Sequence, residues 1–229
     1  GAPREKALRE VYKRAEADAR NLAGVDGYIL ENFGDAPFSP GPVEPHIIAI
    51  MTDIARTLPR PLGINVLRND ASAALGIALA VDADFIRVNI HTGVMQTDQG
   101  VIEGQAHKTV RYRKAIGCRA KIFADVLVKH ATGGGDPATT ARETAYRGLA
   151  DALLVTGAET ASAADVEELR IVKEAVPDRP VLVASGITAE NIREFDRADG
   201  FIIGSHFKRG GNPENPVDPA RVRRFLKAR

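Results

Sequence analysis

The chain has 229 residues, 44% of them hydrophobic, with 31 basic and 30 acidic side chains and a formal net charge of +1. A single cysteine, Cys118, excludes a disulfide framework within the chain, and no basic block is present to hold nucleic acid through its phosphates. No apolar run approaches the roughly 20 residues that span a bilayer, and no signal peptide precedes the first helical stretch, so the expectation is a cytoplasmic protein with no integral membrane segment.

Short apolar runs alternate with amphipathic stretches along the whole chain. Residues 4–23 read as a helix, with Leu8, Val11, Tyr12, Ala15 and Ala19 at helical spacing. A strand is expected over 26–33, a helix over 45–57, a strand over 62–67 and an alanine-rich helix over 70–81. Then come a strand over 85–91, a long loop over 92–100, a helix over 105–116 and a strand over 120–128. The rest reads as helix 139–149, strand 152–155, helix 164–175, strand 180–184, helix 189–197, strand 200–204 and helix 219–227. Such strand–helix alternation predicts a parallel sheet with both faces buried. Eight helices against seven strands predict a single-domain (β/α)8 barrel, residues 1–229, whose first strand is missing from this chain. An open seven-stranded sheet is the competing reading.

In such a barrel the functional groups gather at the carboxyl ends of the strands. Strand starts here are mostly preceded by plain turns, whereas strand ends are polar or glycine-rich. Glu31 closes the first of the seven runs and is well placed for acid–base or metal chemistry. Asn65 lies within the next run, although strands disfavour asparagine. Asp70 reads as a helix cap. Arg87, Asn89 and His91 alternate with Ile86, Val88 and Ile90, which puts the three polar groups on one face. A buried arginine needs a partner, and Asp125 on the following run is the natural one, as an active-site pair or as a structural ion pair inside the barrel. Lys129 and His130 close that run. Lys129 suits a base, a Schiff-base amine or an anion clamp, or else a solvated surface position. His91, Asp98, Asp125 and His130 match no compact metal-binding spacing; no metal ligand is assigned, and a divalent metal stays open. No cofactor motif is present.

The last two runs end in Ser185-Gly186-Ile-Thr188 and Gly204-Ser205-His206-Phe-Lys208. Barrels often bind phosphate with the loops after these two strands, because glycine lets backbone N–H groups approach an anion. Ser185, Gly186, Gly204, Ser205 and Lys208 are therefore the expected phosphate ligands. The plainer reading is turn glycine, with Thr188 capping a helix beside Asn191.

Several segments carry a family resemblance: Gly24-Val-Asp-Gly-Tyr-Ile-Leu-Glu-Asn-Phe-Gly-Asp35, Gly63-Ile-Asn-Val-Leu-Arg-Asn-Asp70, Phe85-Ile-Arg-Val-Asn-Ile-His91 and Thr97-Asp-Gln-Gly100. They continue with Ala124-Asp-Val-Leu-Val-Lys-His130, Arg147-Gly-Leu-Ala-Asp-Ala152 and Ile203-Gly-Ser-His-Phe-Lys208. In this order they resemble the BtpA family, the photosystem I biogenesis proteins, which also include bacterial SgcQ proteins. The resemblance implies a TIM barrel of the phosphate-binding type. Family members carry an upstream strand ending in a Met-Val-His-Leu-like stretch and a Pro-Gly-Ser/Ala-Pro loop, where this chain opens at Gly1-Ala-Pro3. Thr156-Gly-Ala-Glu-Thr160 stands where relatives have a Ser-Gly-Xaa-Xaa-Thr run, so Thr156 keeps the hydroxyl chemistry.

The resemblance implies no reaction. The expected function is an enzyme on a small phosphorylated metabolite, a sugar phosphate or a nucleotide-derived compound. Glu31, Asn89, His91, Asp125 and Lys129 would line the reacting end, with Asn65, Arg87, Asp98 and Thr156 around the ligand. Asp125 or Glu31 would be the base, and Lys129 or His91 the acid or electrostatic stabiliser. The alternatives are a non-catalytic photosystem I assembly-type factor, which predicts an exposed apolar patch, or a regulator that binds a phosphorylated ligand without turnover. A homo-oligomer is among the open partner states.

Overall fold

The structure, a computed structural model, describes residues 2–128, 131–133, 135–157 and 165–229. In chain order it begins with α1 (Ala2–Asn21), β1 (Tyr28–Glu31), α2 (Pro45–Thr57), β2 (Leu62–Asn65), α3 (Ala71–Val81) and β3 (Phe85–Val88). There follow β4 (Val94–Thr97), β5 (Gly100–Glu103), α4 (Ala106–Ala115), β6 (Lys121–Asp125), β7 (Ala131–Gly133) and α5 (Pro137–Arg142). The chain ends with β8 (Ala152–Val155), α6 (Val166–Ala175), β9 (Val181–Val183), β10 (Gly200–Phe201) and α7 (Pro219–Ala228).

Seven strands form one parallel sheet in the order β1-β2-β3-β6-β8-β9-β10, the order of the chain itself. The sheet curls into most of a TIM-type barrel, with β1 and β10 at its two ends. Side chains on its outer face pack under the helices. Leu62, Ile64, Ile86, Val88 and Ile122 meet Met51 and Ala55 of α2 and Leu75, Ile77 and Ala78 of α3. Leu153, Val155, Val181 and Val183 meet Leu169 and Val172 of α6 and Val222 and Phe225 of α7. Each large apolar side chain fully buried this way contributes about 1.5–3 kcal/mol. On the other face Phe85 and Phe123 stack with centroids 4.3 Å apart and planes 16° apart.

The helices start where the local chemistry dictates. Asp70, Asp136, Asp165 and Asp218 cap α3, α5, α6 and α7, each accepting a hydrogen bond from a first-turn N–H. Proline occupies the first turn of α2, α5 and α7, where its missing N–H costs nothing.

The amino ends of the strands are not plain turns. Asp84, Asp151 and Asp199 each stand one residue ahead of a strand, and each carboxylate accepts an N–H from the neighbouring strand's start. The acceptor distances are 2.8 Å to Leu62 N, 2.9 Å to Ile122 N and 2.7 Å to Val181 N. Each is also ion-paired, to Arg60, Arg113 and Lys173 respectively. The polar groups at this end therefore fasten strands together.

Three further expectations are corrected. Residues 94–103 are not loop but the hairpin β4–β5, and β7 joins it from the segment after β6 to make a small antiparallel sheet. Met95 and Ile102 point down onto Ile90 and Val128, while Val94 and Val101 face out. The stretch 189–197 is only a 3-10 turn, Ile192–Phe195. There Asn191 ties the chain locally, accepting from Thr188 N at 2.8 Å and donating to Gly186 O at 3.0 Å, a side-chain alternative to the helix ladder. The helix expected over 139–149 ends at Arg142 and continues as a π turn, Glu143–Arg147.

Candidate active site at the carboxyl ends of the strands

Parallel register sets Glu31, Asn65 and Arg87 side by side on β1, β2 and β3. Asn65 Nδ2 donates to Glu31 Oε2 at 2.6 Å, so the strand asparagine positions a carboxylate. Glu31 is only half-buried, and among the described residues nothing donates to its other oxygen.

Next to them lies the Arg87–Asp125 pair. Arg87 Nε donates to Asp125 Oδ1 at 2.9 Å and Nη2 to Oδ2 at 2.8 Å. Both side chains are buried, at 7% and 0% exposure. Burial opposes the charge on Arg87, and the Asp125 carboxylate more than restores it, leaving the guanidinium firmly protonated. Asn89 Nδ2 adds a third bond to Asp125 Oδ2 at 3.3 Å. Asp125 thus accepts three hydrogen bonds on its two oxygens, and among the described residues Asn89 Oδ1 is a buried acceptor without a hydrogen-bond partner.

Arg68, in the segment after β2, was not among the residues singled out from the sequence. It is 4% exposed, and burial holds its pKa below the ordinary arginine value against the opposing pull of the Asp125, Asp98 and Glu31 carboxylates. Two asparagines hold the surrounding loops. Asn32 Oδ1 accepts from Leu67 N at 2.7 Å, and Asn69 clamps Ile90 by accepting from its N and donating to its O, both at 2.8 Å. An Asn one or four residues past a strand is the available sequence signal for such a clamp, but it looks the same as a turn residue. Asp70 caps α3 through Ala73 N and also accepts from Val43 N.

The other expected residues fall in different places. Thr156 is buried, and its hydroxyl donates to Leu127 O at 2.9 Å, joining the ends of β6 and β8. Asp98 sits in the exposed turn of the β4–β5 hairpin with Gln99 against it, 2.5 Å away. His91 is 1% exposed and is not brought to Asp125. Its Nε2 donates to Gly148 O at 2.8 Å, beyond the π turn, and Nδ1 has no partner among the described residues. Burial, with Arg113 nearby, holds its pKa below the usual histidine value despite that bond. Lys129 and His130 lie outside the described residues.

Across the mouth, β9 and β10 end in the two glycine segments. Gly186 has φ of +63°, a left-handed conformation that favours glycine. Gly204 is exposed, with open space where a Cβ would stand. Ser185 and Ser205 are half-buried beside them. Lys208 is engaged elsewhere: its Nζ lies 2.5 Å from Asp18 Oδ2, and the other Asp18 oxygen accepts from Val217 N at 2.8 Å. That lysine fastens α1 to the segment before α7. Among the described residues no group of three or more His, Cys, Asp or Glu comes together to hold a metal ion, and no helix is long and apolar enough to cross a membrane.

A curled parallel sheet in chain order defines an α/β protein of the TIM-barrel class. It resembles the solved N-(5'-phosphoribosyl)anthranilate isomerase from Pyrococcus furiosus, with a TM-score of 0.57 and 14% identity over 92% of each chain, a likeness of fold alone. The profile of the BtpA family matches residues 2–229, and the chain belongs to that family. It is 46% identical to the photosystem I biogenesis protein BtpA of Synechocystis sp. (strain ATCC 27184 / PCC 6803 / Kazusa), over 96% of this chain and 80% of that protein. It is 45% identical to an uncharacterized protein of Thermococcus kodakarensis, over 94% of this chain and 85% of that one.

Proposed function

We propose that this protein is an enzyme acting on a small phosphorylated metabolite, a sugar phosphate or a nucleotide-derived compound. The observation that carries the reading is the division of the mouth. Backbone-rich glycine segments with Ser185 and Ser205 stand after β9 and β10, while Glu31, Arg87 and Asp125 stand at the carboxyl ends of β1, β3 and β6 with Arg68 just after β2. Ser185, Gly186, Gly204 and Ser205 hold the phosphate. Lys208, bound to Asp18, is left out of that set.

At the reacting end Glu31 is the acid–base group, because Asn65 orients one oxygen and leaves the other to the ligand. Asp125 is not the base: its two oxygens already take three hydrogen bonds, and its role is to hold Arg87 and Asn89. Lys129, next along the chain from β6, remains the acid or electrostatic stabiliser in this scheme. The phosphorylated substrate named for the isomerase of like fold is in keeping with the reading.

A second reading is a biogenesis factor without turnover, as the name of the Synechocystis relative suggests. Val94 and Val101, 52% and 66% exposed on the outer face of the hairpin, are the observation that favours it. Thermal unfolding with inorganic phosphate, sugar phosphates and nucleotides, in the wild type and Ser205→Ala, separates the two. A ligand at 100 times its Kd stabilises by about 2.7 kcal/mol. A phosphorylated compound that raises Tm, with the rise reduced in Ser205→Ala, supports the enzyme reading. No response to any phosphorylated compound transfers the weight to the biogenesis factor.

A further inference from the structure

Asn89 has an amide orientation that its neighbours dictate. Its nitrogen faces Asp125 Oδ2 at 3.3 Å, and a carboxylate gripped twice by Arg87 can only accept. Turning the amide over would press its oxygen against that carboxylate. The oxygen is therefore forced to point away from Asp125, in a side chain 3% exposed, and no donor among the described residues bonds it. A buried acceptor left unsatisfied costs about 1–3 kcal/mol. Arg87 Nε and Nη2, both Asp125 oxygens and Asn89 Nδ2 are bonded to one another, which makes the Asn89 oxygen stand out as a place for a ligand's donor.

The surroundings decide what kind of donor. The Arg87 guanidinium and the Asp125 carboxylate, held together at 2.9 and 2.8 Å, set charges of both signs beside Asn89. A ligand ammonium near Asn89 would meet the Arg87 guanidinium, which shares Asp125 Oδ2 with Asn89. A hydroxyl brings no charge. It can donate to Asn89 Oδ1 and at the same time accept from a guanidinium N–H, which a plain N–H donor cannot do.

Resting on the phosphate-site reading above, we infer that Asn89 is a specificity-determining residue whose Oδ1 accepts a substrate hydroxyl, so that the site takes phosphorylated sugars or polyols in preference to phosphorylated aliphatic chains. Asp125 acts behind it as a positioning residue, fixing which way the amide faces. A site built to bond a hydroxyl rejects the analogue that lacks it, because the protein acceptor is then left buried and bare.

The test is calorimetric titration of the whole chain with ribitol 5-phosphate, pentyl phosphate, inorganic phosphate and ribitol, in the wild type and in Asn89→Leu. The wild type is expected to bind ribitol 5-phosphate at least about tenfold more tightly than pentyl phosphate. In Asn89→Leu, which also loses the Nδ2 bond to Asp125, that ratio falls to about two or less, while pentyl phosphate still binds through its phosphate contacts. A wild-type ratio near one overturns the inference, and so does a ratio that survives in Asn89→Leu. If circular dichroism shows Asn89→Leu unfolded, the wild-type ratio decides alone. Should neither inorganic phosphate nor pentyl phosphate bind, the phosphate site falls. Ribitol binding lost in Asn89→Leu then still upholds the role of Asn89, and no ribitol binding overturns it.

Discussion

Arg87 and Asp125 face each other across two neighbouring strands in a two-point ion pair, at 2.9 and 2.8 Å, with neither side chain more than 7% exposed. Removing one partner leaves the other charge buried and unpaired. Asp125→Ala is therefore expected to cost about 3–5 kcal/mol. The double change Arg87→Met with Asp125→Leu should cost clearly less than the two single changes added together. Urea unfolding of all four proteins measures the coupling, and simple additivity would count against a functional pair.

Gly63 packs beneath the Phe85–Phe123 stack. A Cβ built there would stand 2.2 Å from the Phe85 ring, far inside van der Waals contact. Gly63→Ala should destabilise by about 1–3 kcal/mol through overpacking. Adding Phe85→Leu makes room and is expected to return part of the loss, read as a rise in Tm over the single variant. No return would mean that the backbone and not the ring sets the limit.

His91 makes stability fall in acid. Its folded pKa is depressed, chiefly by burial, so below the unfolded value near 6.5 the unfolded chain binds a proton that the folded chain refuses. Stability is then full above about pH 7 and declines as pH falls through about 6.5. His206, also depressed by burial, acts in the same direction. His91→Gln, which keeps a donor for Gly148 O, should lose part of the decline between pH 7.5 and 5.5. An unchanged slope in urea titrations at the two pH values would assign the acid loss to other groups.

Glu168 works in the opposite sense. Burial, with Asp165 beside it, pushes its carboxyl up to about 7 from the ordinary 4.5. The folded state therefore holds the proton more tightly than the unfolded one, and this contribution is lost as pH rises from 4.5 through 7. Glu168→Gln should raise the unfolding temperature at pH 8 and change it little at pH 5. Equal effects at the two pH values would show that ionisation is not the cause.

Lys208 belongs to the frame in this structure, with Asp18 as its partner. Lys208→Ala and Asp18→Ala should each cost about 1–3 kcal/mol, the worth of a part-buried charge-assisted bond. Any phosphate-induced shift in Tm should survive Lys208→Ala. Its disappearance in that variant alone, and not in Asp18→Ala, would return Lys208 to the ligand.

Much of the fold is legible before any coordinates. The alternation of short apolar runs with amphipathic stretches dictates a parallel sheet, and Asp-Pro at 136–137 and 218–219 marks helix starts from local chemistry alone. The period-two placing of Arg87 and Asn89, with Asp125 on the next strand, anticipates the buried pair because strand geometry is local and the cost of an unpaired buried charge is general. The hairpin is not legible because its four-residue strands are too short to signal themselves, and β7, the third strand of its sheet, arrives from beyond β6.

What only the tertiary structure decided are the choices made between distant residues. Asp84, Asp151 and Asp199 read as turn residues, and they become strand fasteners only when a neighbouring N–H comes within 3 Å. His91 follows the polar period of its strand, yet the chain turns after β3 and lodges the ring against Gly148, fifty-seven positions away. Lys208 is drawn to Asp18 across 190 positions. Sequence determined the periodicities, the caps and the set of groups at the strand ends, because these depend on neighbours along the chain. Which of those groups is satisfied by protein, and which, like Asn89 Oδ1, is left without a partner among the described residues, depends on long-range partners that only the folded chain brings together.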